Sequence, residues 1–271
     1  MLPRIAQSVK PEIATWQVTG ELFSATDLII IKSNRKAAQM RPAETPVIRS
    51  LPLFCDMAEA NFDTLMRGAY LQTFPPQIEL ITEGDPSDFL HVVIDGSVEL
   101  FAAWSGRETV MATVRPISTF ILAATIRNAP YLMSARTLEK SRIVLLPSVD
   151  VQAVFDVDAA FARAVVTELA QCYRGVVKHT KDLKLRTSIE RLANYLLRKY
   201  SAAGAPAAFD LAIEKRRLAS YLGMTPENLS RAIRSLQAYG VAIEGSTVRI
   251  ADPAALIGLA KPTRRIDDAA H

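Results

Sequence analysis

Between Ile48 and Leu71, apolar side chains fall at Leu53, Met57, Phe62, Leu65 and Met66, the three-and-four spacing of a helix that buries one face. The texture then changes to short β-like runs. Gln77 to Ile81, Phe89 to Ile94, Ser97 to Trp104 and Thr109 to Val114 are separated by Gly84-Asp85, Asp95-Gly96 and Ser105-Gly106, the turn pairs of antiparallel hairpins. Several short strands at even spacing predict a jelly roll or barrel. From Asp158 the period is helical for about twenty-five residues: Ala162, Val165, Leu169, Cys172, Val176, His179 and Leu183 alternate by three and four. That row is the seam of a parallel two-stranded coiled coil, or one face of a long helix packed on its own domain.

A second amphipathic helix is predicted over Ser188 to Tyr200 through Ile189, Leu192, Ala193, Leu196 and Leu197, and a Gly/Ala/Pro loop follows at Ala202 to Ala208. Glu214 to Leu222 reads as a short helix ended by Gly223. Thr225 is a good N-cap for the next helix, Pro226 suits its first position, and Glu227 favours the positive end of its dipole. Two helices joined by Gly223-Met224-Thr225 make a helix-turn-helix. Val241 to Ile250, turning at Glu244-Gly245-Ser246, adds a wing. The fold class is therefore α+β: an N-terminal antiparallel β-roll, a long dimerisation helix and a C-terminal winged helix-turn-helix. The expected divisions are a peripheral arm at 1–46, a sensor β-roll at 47–157, the dimerisation helix at 158–185, the winged domain at 186–251 and a peripheral tail at 252–271.

On the second helix of the motif, Leu229, Ala232, Ile233 and Leu236 lie on one side, and Glu227, Ser230, Arg231 and Arg234 on the other. The free side suits base edges, since arginine pairs with guanine O6 and N7, glutamate accepts from cytosine N4, and serine serves several bases. Thr225, Glu227, Asn228, Ser230, Arg231 and Arg234 are the candidate DNA-binding residues. Taken singly, each also fits a solvated face or a dipole partner.

Charge supports this division of labour. The net charge is only +4, but Leu51 to Phe101 carries nine acids against Arg67 alone, whereas Arg174 to His271 carries 17 Lys and Arg against 9 Asp and Glu. An acidic first half repels phosphate and a basic second half attracts it. The 271 residues, 49% hydrophobic, suffice for real cores. No apolar run reaches a membrane span or a signal-peptide core, so a cytoplasmic protein is expected. Two cysteines, Cys55 and Cys172, exclude a four-cysteine iron–sulfur or zinc site within one chain. No ligand spacing points to a metal, and no paired nucleophile and base or Gly-rich phosphate loop points to an enzyme. Met40 begins MRPAETPVIRSLPLF, which reads as a native start preceded by an upstream extension.

Residues 48 to 250 resemble the superfamily of bacterial transcription regulators that includes the cyclic-AMP receptor protein and the oxygen-responsive fumarate–nitrate regulator. Glu83 to Val98 (EGDPSDFLHVVIDGSV) resembles the hairpin of that family's cyclic-nucleotide-type β-roll, and Glu227, Ser230 and Arg231 match the Glu-x-x-Ser-Arg pattern of the oxygen regulator. MRPAETPVIRSLPLF and STFILAATI are similar to a subgroup usually labelled FtrB. The resemblance implies a homodimer binding an inverted repeat of TTGA-like half-sites, with RNA polymerase as a further partner. Where the family's cyclic-nucleotide binders carry Gly-Glu and Arg-Ser or Arg-Thr, this chain has Ile121-Leu122 and Tyr131-Leu132, and Val176 and Val177 replace the helix hydroxyls. A phosphate buried there would lack a partner, so no cyclic-nucleotide binding is expected.

What remains is an apolar pocket expected from Ile121, Leu122, Tyr131, Leu132, Met133 and Val176, open to a hydrophobic molecule, to haem, or to side chains that fill it. The expected dimer seam is Val165, Leu169, Cys172, Val176, His179 and Leu183. On it, His179 either sets register or senses protons or metal, and Cys172 is either a small apolar residue or an intersubunit disulfide. His91 lies on a strand, where the family carries histidine without haem. The rival reading is a ligand-binding protein of the cyclic-nucleotide-domain type without specific DNA function.

Overall fold

The structure, a computed structural model, describes residues 15–18, 21–24, 45–211 and 213–267. Strands β1 (Thr15–Val18) and β2 (Glu21–Ser24) pair antiparallel within the expected arm. Met40 and the start expected there lie outside the described residues.

Helices α1 (Thr45–Arg49) and α2 (Glu59–Gly68) precede β3 (Tyr70–Phe74), β4 (Glu79–Ile81), β5 (Phe89–Asp95), β6 (Val98–Trp104), β7 (Arg107–Val114), β8 (Ser118–Phe120), β9 (Ser134–Thr137) and β10 (Ser141–Pro147). These strands form two antiparallel sheets, ordered β3-β10-β5-β8 and β4-β9-β6-β7. Side chains from both sheets, among them Phe74, Val93, Phe120 and Ile143 from one and Leu80, Val98 and Ala135 from the other, fill a common interior. Strand β5 is buried on both faces because it lies between two cores. Alternation along the strand sends Leu90 and Val92 to the helices and Val93 to the interior, and β10 divides Val144 and Leu146 from Ile143 in the same way.

The helical layer on that outer face comprises α1, α2, α3 (Leu122–Arg127), α4 (Ser148–Val157) and the first turns of α5 (Ala159–Leu185). Asp158 starts α5 as its N-cap, accepting from the Ala160 and Phe161 amides at 3.0 and 2.9 Å. Its other oxygen accepts from Ala58 N–H at 3.0 Å and Asn61 Nδ2 at 2.9 Å, so one carboxylate ties the long helix to the start of α2. Burial pushes this carboxyl up, but the bonds from Asn61, Phe161, Ala58 and Ala160 outweigh it and hold it below the usual value. A lowered folded-state value means stability present above about pH 4 and lost as pH falls through that lowered value. Asp158→Asn is therefore expected to cost about 2 kcal/mol near neutrality. Urea titrations at several pH values should show wild type and variant converging in acid; a constant gap would count against this role.

The C-terminal core is built by α6 (Ser188–Ala202), α7 (Lys215–Tyr221), α8 (Pro226–Leu236), a 3₁₀ turn (Gln237–Tyr239), α9 (Pro253–Ala260) and a sheet ordered β11-β13-β12, from β11 (Phe209–Asp210), β12 (Val241–Glu244) and β13 (Thr247–Ile250). Helix α6 opens with a capping box: Thr187 N–H donates to Glu190 Oε2 at 2.8 Å, and Glu190 N–H donates to Thr187 Oγ1 at 3.4 Å.

The segment after Ala251 was expected to be peripheral, and the structure corrects this. Leu256 and Ala260 of α9 are fully buried in the C-terminal core, and Asn194 Nδ2 on α6 donates to Ala260 O at 2.7 Å. A short α10 (Arg264–Asp267) then brings the Asp267 carboxylate to Arg186, at 2.8 and 2.6 Å, and to Arg198 at 3.0 Å. Burial raises the Asp267 carboxyl, and the Arg186 bonds more than reverse that, so it stays ionised. Arg186 sits between α5 and α6, so the tail braces the junction of the long helix with the winged domain.

Candidate nucleic-acid interface

Thr225 is an extended N-cap whose Oγ1 accepts from Asn228 N–H at 3.3 Å, with Pro226 at the first helical position. Gly223 makes the turn from α7: its φ is +61°, and a Cβ there would meet Leu183 Cδ2 of α5 at 2.5 Å. A left-handed backbone and a close neighbour both favour glycine. Leu218, Ala219 and Leu222 of the first helix and Leu229, Ala232 and Leu236 of the second are buried together, which fixes α8 against α7.

The opposite side of α8 is free. Glu227, Ser230, Arg231 and Arg234 are all exposed, one or two turns apart along the helix. Asn228, half-buried, accepts from Arg231 Nη2 at 2.7 Å and steadies the guanidinium. Ser230 Oγ donates to Pro226 O at 2.9 Å, leaving its lone pairs outward. Arg234 Nε reaches Ser230 O at 3.4 Å. The Thr225 side chain, the Glu227 amide and the Arg231 charge hold the Glu227 carboxyl below its ordinary value. The row thus presents a carboxylate, a hydroxyl and two guanidiniums, the acceptors and donors that pair with base edges and phosphates.

Two family descriptions match the two halves of this architecture: a cyclic nucleotide-binding domain over residues 71–158 and a Crp-like helix-turn-helix domain over residues 190–259, together more than half of the chain. The chain belongs to the CRP/FNR family of transcription regulators. It is 25% identical over 194 residues to the anaerobic regulatory protein of Pasteurella multocida, covering 68% of this chain and 70% of that one. It is 24% identical over 217 residues to the transcriptional activator protein FnrA of Stutzerimonas stutzeri, covering 78% and 88%. The solved structure of FixK2 from Bradyrhizobium japonicum shares the fold, with a TM-score of 0.61 at 22% identity over 72% of this chain and 98% of that one. As a member of this family the chain is a DNA-binding regulator and not an enzyme.

The six residues expected to line an effector pocket of this CRP/FNR regulator do not share one cavity. Leu132 is 82% exposed and Val176 is 64% exposed, while Leu122 points into the helical core outside the roll. Only Tyr131, with Ile121 and Met133 packed beside it, belongs to the roll interior, where neighbouring side chains occupy the space. Ile121 caps α3 with φ +67°, a conformation that favours glycine and strains a β-branched residue. Tyr131 bonds the turn before β5: its N–H donates to Asp85 O at 2.9 Å, and Gly84 N–H donates to its carbonyl at 2.8 Å. Burial pushes its phenol up, against hydrogen bonds to Ser87 and to the Phe89 and Asp88 backbone.

The expected seam also needs a correction. Val165 is fully buried in its own β-roll's helical core, and Leu169 packs partly against the same cluster. His179 turns toward the Tyr221 ring of α7, at 6.2 Å between centroids, and Leu183 lies against Gly223. Cys172 and Val176 are exposed. The apolar row left open is rotated by one residue, through Val166 (60% exposed), Tyr173 (70%) and Val176. Partial burial and then the Glu168 charge push the Cys172 thiol up, which disfavours the reactive thiolate. His91 is buried and stacks on Phe120 at 4.8 Å. Among the described residues, no group of three His, Cys, Asp or Glu side chains is placed to hold a metal, and no helix is long and apolar enough to cross a membrane.

Proposed function

We propose that the chain is a sequence-specific regulator that binds an inverted repeat of TTGA-like half-sites as a homodimer in the cytoplasm, and that its β-roll does not respond to cyclic nucleotides. The observation that carries the DNA reading is the exposed row Glu227, Ser230, Arg231 and Arg234 on a capped helix whose other face is locked into the core. Thr225 and Asn228 position that row, and basic residues concentrate in the same half of the chain. The partners are double-stranded DNA, a second copy and, by family likeness, RNA polymerase.

Dimerisation is supported by α5. Val166, Leu169, Tyr173, Val176, Thr180 and Leu183 follow a three-four-three repeat in which Val166, Tyr173 and Val176 stay exposed, while Leu169 packs partly on the chain's own core and Leu183 against Gly223. A parallel pair about this row places two α8 helices on one side, the arrangement a two-fold operator requires. Against cyclic nucleotides stand Ile121-Leu122 and Tyr131-Leu132, which offer neither a guanidinium for a phosphate nor a carboxylate for a ribose.

Titration of a fluorescent inverted-repeat duplex, together with native mass measurement, tests this reading. A dimer with salt-sensitive affinity well above that for scrambled duplex supports it; a monomer with equal affinity for both duplexes refutes it. Calorimetric titration with cyclic AMP and cyclic GMP is expected to show no binding at micromolar concentrations, and a micromolar affinity for either would refute the sensor half.

A further inference from the structure

The two halves of the chain also meet away from the α5–α6 junction, where α7 of the winged domain rests on β7 of the roll. Strand β7 is the outer strand of its sheet, so its outward N–H groups need partners from elsewhere. Ser220 Oγ supplies one by accepting from Val110 N–H at 2.8 Å, and it lies 3.3 Å from Thr109 Oγ1. Three residues earlier on the same face, Arg217 Nε lies 3.4 Å from Glu99 Oε1. The Glu99 side chain, on β6, is only 2% exposed. Its second oxygen is held by Arg136 Nε at 2.9 Å and Nη2 at 2.5 Å, and Arg136 also pairs with Glu108 and lies 4.3 Å over the Phe101 ring.

We propose that the β6–β7 hairpin is a docking platform that sets the direction in which each subunit presents α8, with Glu99 and Ser220 as positioning residues that determine which half-site spacing the dimer accepts. This rests on the dimeric, operator-binding reading above. Docking leaves the reading row of α8 exposed, so the contact orients the motif without covering it. Ordering the winged domain before DNA arrives removes part of the cost of ordering it on binding. The contact is built to be adjustable: when α7 lifts, Glu99 keeps Arg136, and Ser220 and the edge amide of Val110 each gain water. No buried charge is stranded, so a shift of β7 can carry α7 with it.

The test measures binding of the full chain to a series of inverted repeats whose central spacer grows one base pair at a time, for wild type, Glu99→Gln, Ser220→Ala and Ser220→Thr. Wild type and Ser220→Thr, which keeps the hydroxyl, are expected to prefer one spacing. Glu99→Gln and Ser220→Ala are expected to lose about tenfold on that spacing, with a flattened profile and unchanged affinity for random duplex. Thermal unfolding of each variant checks that the fold is retained. Spacing profiles identical to wild type, or an equal loss on every duplex including random sequence, overturn the proposal. A wild type that binds single half-sites and inverted repeats alike overturns the operator reading instead, and this inference with it.

Discussion

Replacing Arg231 by alanine is expected to weaken binding to the inverted repeat by about 2 kcal/mol per half-site, roughly thirtyfold, while binding to random duplex changes little. Of the two guanidiniums in the exposed row, Arg231 is held by a side chain, Asn228 Oδ1 at 2.7 Å, whereas Arg234 only reaches the Ser230 carbonyl at 3.4 Å. A steadied planar fork can donate two parallel bonds to one guanine, which a mobile charge cannot do as selectively. Arg231→Lys keeps the charge and loses the fork, so it should leave random-duplex affinity unchanged and recover little discrimination. Competition titrations against duplexes mutated at single positions separate the outcomes. The alanine variant should become indifferent at one base position of each half-site; an equal loss on every sequence would make Arg231 a phosphate contact.

The parts of this protein legible in the sequence are those set by neighbours along the chain. Thr225-Pro226 marked the start of α8, and Asp158 marked that of α5, because capping is decided within three residues. The hairpin turning at Ser105-Gly106 is legible because that turn is local too, whereas Gly84-Asp85 and Asp95-Gly96, expected as hairpin turns, instead pass the chain from one sheet to the other. The same capping rule holds at Asp252-Pro253, where Asp252 accepts from Ala255 N–H at 2.9 Å and opens α9 inside the segment expected to be peripheral. The two-residue β11 carries too little pattern to be seen at all.

The rest was settled by packing between distant segments. Two candidate rows on α5 share Leu169, Val176 and Leu183, and the three-four spacing suits both. Only burial of Val165 in the chain's own core shows which row stays open. The effector pocket failed for a related reason. The resemblance to the family's nucleotide site puts Tyr131 and Leu132 together, but the chain bends at Leu132 just before β9, leaving Tyr131 inside the roll and Leu132 in solvent. The contacts of Glu99 with Arg217 and of Ser220 with Val110 have no signature in the sequence, because their partners are about 110 residues apart and come together only in the folded chain.

Arg191 carries the largest expected effect on stability. Its side chain is buried on α6 and donates Nε to Leu222 O at 2.8 Å, Nη1 to Arg186 O at 2.7 Å and Leu183 O at 3.4 Å, and Nη2 to Gly223 O at 3.3 Å. These carbonyls lie at the end of α5, at the end of α7 and in the helix-turn-helix turn, where helical backbone runs out of its own donors. Arg191→Met keeps much of the length and removes every donor, leaving buried carbonyls unpaired at a cost of roughly 3 kcal/mol. The roll has its own core, so the loss should fall on the winged domain: a lower-temperature transition and faster amide exchange across residues 183–223, with the roll's exchange unchanged. Arg191→Lys should recover only part, because one ammonium cannot span carbonyls that far apart. Below the variant's transition, operator affinity should still fall, since the same guanidinium joins the long helix to the turn that aims α8. Unchanged exchange across 183–223 would show that the carbonyls find water, and that the junction is held by Arg186 and Asp267 alone.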